Sequence, residues 1–246
     1  NEVIIPYVSM YESTKEMVDY MCEKLTQKGI KVKPFYHNDE DAVTTAVATQ
    51  NTNFSIVQEI YVFDTEKSIT KANEVLKRGA ESIRFIIPSK EINVVNIINQ
   101  LQQQPKAVYL QLLFLDADLV EQINKEAANL AFEVFVLIDP IHQLTFDGNF
   151  YKDGTSDFEA LNKINQKGNN INWLTVKATT YQNAGANMVQ QIAYTLAHTN
   201  EYLNRIENFD KNITVEVAVG GNYFFEIAKI RAFKILFNQL SKEFGL

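Results

Sequence analysis

The chain has one cysteine, Cys22, and three histidines in 246 residues. A lone cysteine excludes an internal disulfide and a cysteine-built zinc site, and it agrees with a reducing, cytoplasmic setting. On a helix it reads as a small buried apolar residue. Positive charge is also short: 23 Lys and Arg stand against 30 Asp and Glu, a formal net charge of −7. Sequence-independent binding to DNA or RNA needs the opposite field, so no nucleic-acid partner is expected. No run approaches the ~18 to 20 apolar residues needed to cross a bilayer, and no basic-then-apolar leader opens the sequence, so no membrane partner is expected either. The remainder, 46% hydrophobic and 22% charged, has the composition of an ordinary globular protein.

Apolar β-rich runs alternate with helical patterns almost from end to end. The strand pattern falls on Val3–Val8, Ser55–Phe63, Ser82–Ile87, Ala107–Leu112, Phe132–Leu137, Asn172–Lys177 and Thr214–Val219. Between them, helical periodicity covers Ser68–Arg78, Glu91–Gln102, Ala117–Leu130, Ala184–Ile206 and Tyr223–Lys242. Short Val, Ile and Phe-rich strands separated by helices indicate βαβ units and a parallel sheet. Seven such strands exceed the usual open sheet and approach an eight-stranded barrel, so the predicted class is α/β, a parallel (βα) barrel of the TIM type. The polar stretch 37–53 reads as a connecting loop. The segment Asp139–Gly168, with Pro140, Gly148 and Gly154, is a long excursion after a strand end, where barrel enzymes place function.

Three stretches are more specific: "KGIKVKPFYHNDE" (Lys28–Glu40), "TTYQNAGANMVQQIAYTLAHTNEYL" (Thr179–Leu203) and "GGNYFFEIAKIRAFKILF" (Gly220–Phe237). Together they resemble the adenosylcobalamin-dependent acyl-CoA mutases, most closely the small subunit of methylmalonyl-CoA mutase, over roughly residues 29–240. The small residues Ala184, Gly185 and Ala186 let a helix begin close to a strand end. That helix would turn Val189, Ile192, Ala193, Leu196 and Leu203 toward the barrel. Glu226 and Lys229, three apart on the last helix, are placed to pair on its surface.

The resemblance also implies what is missing. Catalytic large subunits carry Tyr-His-Met before the Gln of "QNAGAN", the His bonding the substrate carbonyl; here the positions are Thr179, Thr180 and Tyr181. A threonine offers one hydrogen bond but no imidazolium-like polarisation. On the first barrel strand the catalytic Arg-Gln-Tyr is replaced by Val57-Gln58-Glu59. The change removes a charge-assisted contact to a substrate carboxylate and adds a repulsive charge. Cobalamin in this family is held by a separate domain with an Asp-x-His-x-x-Gly motif, and none of His37, His142 and His198 sits in that pattern. The resemblance implies no catalytic residue, metal or cofactor in this chain. It also implies that two further barrel strands and a degenerate cobalamin-like domain would follow, leaving about six of eight strands here.

The histidines read as unremarkable surface residues: His37 exposed, His142 paired near Asp139, His198 at the surface or an interface. Asp116 and Asp118 follow a strand end, where two carboxylates suit either a magnesium site or a helix cap, and the cap is the expected role.

The stretch "VIIPYVSMYESTKEMVDYMCEKLTQKGIKV" is similar instead to the first strand, loop and helix of flavodoxin-like domains of the flavodiiron type. That resemblance divides the chain into a flavodoxin-like unit, residues 1–31, and the mutase-type barrel portion, 32–246. It would place an FMN phosphate on the hydroxyls of Ser9, Ser13 and Thr14. Glu12, at a position where the family has glycine, sets a carboxylate beside that dianion. A natural or engineered junction is one origin for such a chain, in which the strand Val3–Val8 pairs with Ser55–Phe63 and closes an incomplete barrel. The function that follows is a non-catalytic scaffold subunit, or part of one, stabilising the catalytic large subunit of a mutase as a heterodimer. The alternatives are an inactive chimera or an FMN-binding module.

Overall fold

The computed structural model describes residues 2–4, 13–29, 31–33, 54–167 and 170–246. The chain divides into two compact units, Asn1–Ala46 and Val47–Leu246. In the first, β1 (Glu2–Ile4) and β2 (Lys31–Lys33) form a parallel two-stranded sheet connected through α1 (Ser13–Gln27). Cys22 lies on α1 and is half-buried rather than enclosed. Of the stretch Val3–Val8, expected to close a barrel, Val3 and Ile4 are described, both in this small sheet. Residues 5–8 lie outside the described residues.

The second unit is a six-stranded, all-parallel sheet in strict sequence order. Its strands are β3 (Val57–Tyr61), β4 (Ser82–Ile87), β5 (Ala107–Leu112), β6 (Glu133–Ile138), β7 (Asn172–Lys177) and β8 (Ile213–Glu216). The intervening helices are α2 (Thr65–Lys77), α3 (Val94–Asn99), α4 (Ala117–Ala127), α5 (Pro140–Asp147), α6 (Gly154–Lys167), α7 (Thr179–Asn183) and α8 (Met188–Arg205), with α9 (Tyr223–Glu243) last. This is the βα succession of a barrel, but β3 and β8 are not bonded to each other and the sheet is not closed.

Alternation along the strands creates two unlike faces. Ile83, Phe85 and Ile87 on β4, Val108, Leu110 and Leu112 on β5, and Val134, Val136 and Ile138 on β6 are buried in one apolar core with the helices. With a side-chain period of two, the residues between them point the other way. That concave face carries Arg84, Gln111, Lys177 and Glu216 together with the stacked rings of Tyr109 and Phe135, 4.7 Å apart. Its curl can be measured. Arg84 on β4 and Glu216 on β8 are four strand positions apart, roughly 19 Å on a flat sheet. Their Nη1 and Oε1 atoms lie 3.0 Å apart. Even with both side chains extended toward each other, this contact needs the two strands closer than on a flat sheet, so the open sheet is bent.

Most helices start on an Asp or Asn that accepts a backbone N–H: Asp64, Asn93, Asp116, Asp139, Asn187 and Asn222. These residues satisfy amides that the first helical turn leaves without partners. The cap expected at Asp116 is thus present, while Asp118 pairs with Lys163 at 2.6 Å. The excursion after β6 is ordered into α5 and α6, and Gly148 ends α5 with φ +79°, a conformation that favours glycine.

The helix anticipated from Ala184 starts four residues later, at Met188. Gly185 (φ +90°) follows the short α7, and Asn187 then caps α8 through a reciprocal pair with Gln190. Val189 is 76% exposed, and Ala193 is exposed too, so neither faces the barrel as anticipated. The face that packs is Thr195, His198, Thr199, Tyr202 and Leu203. Apolar periodicity misread it because much of the buried stripe is polar. Glu226 and Lys229 do pair, at 2.5 Å, but both are buried, with Lys229 also donating to Gln191 and the Ala218 carbonyl.

Candidate functional site

At the C-terminal ends of the strands, the concave face opens into a cavity of about 690 Å³. Asp139, the residue after β6 and the cap of α5, organises one wall. Its Oδ1 accepts from the Tyr202 hydroxyl (2.6 Å), His198 Nε2 (2.8 Å) and the His142 backbone N–H (2.8 Å). Its Oδ2 accepts from the Lys177 backbone N–H (2.7 Å). One carboxylate thus joins β6, α5, β7 and α8. Tyr202 in turn accepts from the Ile141 N–H at 3.0 Å, and burial followed by the Asp139 charge pushes its phenol well above the usual range. With Nε2–H donating to Asp139, His198 Nδ1 accepts from the Tyr181 hydroxyl at 3.0 Å. Burial and then Asp139 push Tyr181 up to about 12.

His198 is therefore buried and doubly bonded, not a surface residue. It escaped sequence reading because its partners, Asp139 and Tyr181, lie 59 and 17 residues away. His142 is also displaced from its expected role. Its backbone touches Asp139, but its ring Nδ1 lies 2.6 Å from the Thr180 hydroxyl and its side chain lines the cavity. Burial, then the Lys177 charge, lowers its pKa to about 4, so the imidazole is neutral at pH 7.

The opposite wall is built on Arg84. Gln111 Oε1 accepts from its Nε and Nη2, Glu216 lies 3.0 Å from Nη1, and Glu59 lies 3.5 Å from Nε. A guanidinium held by two carboxylates and an amide has little left to offer an anion.

Of the positions singled out in the sequence, Thr180 lines the cavity, and Glu59 reaches it through Arg84. Val57 lies on β3, 43% exposed, and is not part of the lining. Ser9 is outside the described residues. Ser13 and Thr14 open α1, and the loop that would hold a phosphate falls mostly in undescribed residues 5–12. Sequence reading named Asp139 only as a neighbour of His142, and it missed Arg84, Thr175 and Lys177. The available signal was polar residues at alternate positions in strands otherwise apolar, as in Thr175 and Lys177 of "NWLTVK". Among the described residues, no group of three or more His, Cys, Asp or Glu side chains is placed to hold a metal ion. No helix of the described residues is long and apolar enough to cross a membrane.

A family model described as methylmalonyl-CoA mutase matches residues 157–246. The methylmalonyl-CoA mutase small subunit of Porphyromonas gingivalis is 25% identical over 249 residues, covering 89% of this chain and 40% of that protein. The chain is related to methylmalonyl-CoA mutases. The methylmalonyl-CoA mutase of Cereibacter sphaeroides is 35% identical over 82 residues, which is 30% of this chain and 12% of that protein. The large subunit of P. gingivalis methylmalonyl-CoA mutase is 33% identical over 82 residues, again 12% of its length. This mutase-related chain thus spans well under half of each of these relatives. The matched region 157–246 begins in α6 and contains Thr175, Lys177, Thr180, His198 and Tyr202, one side of the cavity and its support.

Proposed function

We propose that this chain is a non-catalytic scaffold subunit, or part of one, that packs against the catalytic large subunit of an adenosylcobalamin-dependent methylmalonyl-CoA mutase. The observation that carries this reading is the state of Arg84. The arginine of the concave face is bound by the chain's own Glu216, Glu59 and Gln111, so a substrate carboxylate would have to displace an internal ion pair. Thr180, at the position where the resemblance places the carbonyl-binding histidine, has its hydroxyl engaged by His142.

The described residues do not fit a cobalt ligand set. His198 uses both ring nitrogens internally, and His142 is followed by Gln143, Leu144 and Thr145 rather than by the family motif. Cobalamin in this reading belongs to the partner. Relatives named as small and large subunits of one mutase support a two-subunit assembly. The surface supports it as well. Phe54 (81% exposed), Phe63 (93%), Tyr223 (72%) and Phe224 (78%) are bulky apolar groups next to the unclosed strands β3 and β8, where a partner would bury them.

Co-expression with a cobalamin-binding large subunit tests the assignment. The two chains should co-purify, and the mutase activity of the pair should survive Thr180→Ala in this chain. Turnover by this chain alone with added cobalamin, or failure to associate, would refute it.

A further inference from the structure

The Lys177 amine stands apart from the other polar groups of the cavity. Register pairs Lys177 with Glu216 on the neighbouring strand, which would ordinarily give a cross-strand ion pair. Glu216 is instead drawn to Arg84, at 3.0 Å. Lys177 Nζ makes no hydrogen bond or ion pair among the described residues; only its backbone is engaged, by Asp139. Burial lowers its pKa, against the pull of Glu216 and Asp139. Two residues earlier on the same face, Thr175 is 2% exposed, lines the cavity and has a hydroxyl with no partner among the described residues. A neutral imidazole, that of His142, lies on the same lining with no bond to its Nε2 among the described residues. An unpartnered amine, an unpartnered hydroxyl and a proton-carrying imidazole around one void are groups that await a ligand.

We propose that Lys177 is a nucleophilic amine that condenses with a small, uncharged hydroxyaldehyde or hydroxyketone bound in this cavity. The amine lone pair attacks the carbonyl carbon while the carbonyl oxygen takes a proton and the nitrogen gives one up, forming a carbinolamine. Loss of its hydroxyl as water leaves a C=N bond. Amine and carbonyl thus become imine and water, with no net change in redox state. His142 is placed to carry the protons, and Thr175 to hold a ligand hydroxyl. The preference for an uncharged ligand follows from the lining, where Asp139, Asp147 and Glu216 outnumber Arg84 and Lys177. The site is independent of the scaffold assignment, since it needs no partner and no cobalamin.

Reductive trapping tests it directly. The full chain is incubated at pH 7 with glyceraldehyde and cyanoborohydride, and modified lysines are mapped by peptide mass spectrometry. Lys71 and Lys125, with side chains 55% and 71% exposed, serve as internal standards. Lys177 should be labelled several times faster than either, and glyceraldehyde should label it several times faster than pyruvate does. Labelling of Lys177 at or below the rate of the standards overturns the reactive amine. Equal labelling by pyruvate overturns the choice of an uncharged ligand.

Discussion

Replacing Asp139 with asparagine tests whether one carboxylate ties the sheet to its helices. The change keeps the shape but converts one oxygen into an N–H donor. Four donors now point at Asp139: Tyr202 Oη, His198 Nε2 and the backbone N–H groups of His142 and Lys177. If the amide oxygen keeps the three donors at Oδ1, its NH2 faces the Lys177 N–H, donor against donor. If it flips, three donors lose an acceptor instead. The favoured arrangement forfeits one charge-assisted bond and leaves a backbone N–H unpaired, so Asp139→Asn should cost about 3 kcal/mol. Asp139 is 4% exposed, and water is poorly placed to take over. Tyr202→Phe, which removes a bond to Asp139 and orphans the Ile141 N–H, should cost about 2 to 4 kcal/mol. Because the two changes share a partner, the double variant should lose less than the sum. Urea unfolding followed by Trp173 fluorescence reads these values. Additive losses, or an Asp139→Asn midpoint within about 0.5 kcal/mol of the parent, would show that the carboxylate is not the hub.

Other expectations follow from single sites. Protonation of His142 should destabilise the fold: the unfolded chain takes the proton near its ordinary pKa of 6.5, whereas burial delays it to about 4 in the folded state. Stability should therefore fall from pH 6.5 toward 4, and His142→Gln should flatten that part of the profile in pH-dependent urea melts. Leu110→Ala, in the core at 0% exposure, should cost about 2 to 5 kcal/mol in the same assay, by lost burial and a residual cavity. Arg84→Met removes the cation that Glu216 and Glu59 share and leaves Glu216 only its strand neighbour Lys177, so it should lower thermal stability by several degrees in low salt and by less in high salt, where charge effects are screened. A loss as large in high salt would assign the effect to packing.

The fold was more legible in the sequence than the site was. Ser82–Ile87, Ala107–Leu112 and Asn172–Lys177 are strands at the bounds their apolar pattern marks, because one face of each is sealed under helices. The start of α8 was set four residues early, because the positive φ of Gly185 and the cap at Asn187 leave no mark in apolar periodicity. The cavity depends on contacts that sequence spacing cannot show, such as Arg84 with Glu216 across 132 residues. Thr180 was visible as a replaced residue. That His142 would come to it from another βα unit was not.

The strict sequence order of the large sheet bears on how the protein forms. Paired residues on adjacent strands are separated by 25 positions at β3–β4 and by 39 at β7–β8, so every ladder joins chain neighbours. No strand must wait for a distant one before it can pair. Assembly can begin at any βα pair and extend stepwise, much as in a repeat protein, with β5 and β6 flanked on both sides and β3 and β8 at the ends. Amide protons should then exchange most slowly at the centre of the array and progressively faster outward, a gradient set by topology rather than by local sequence.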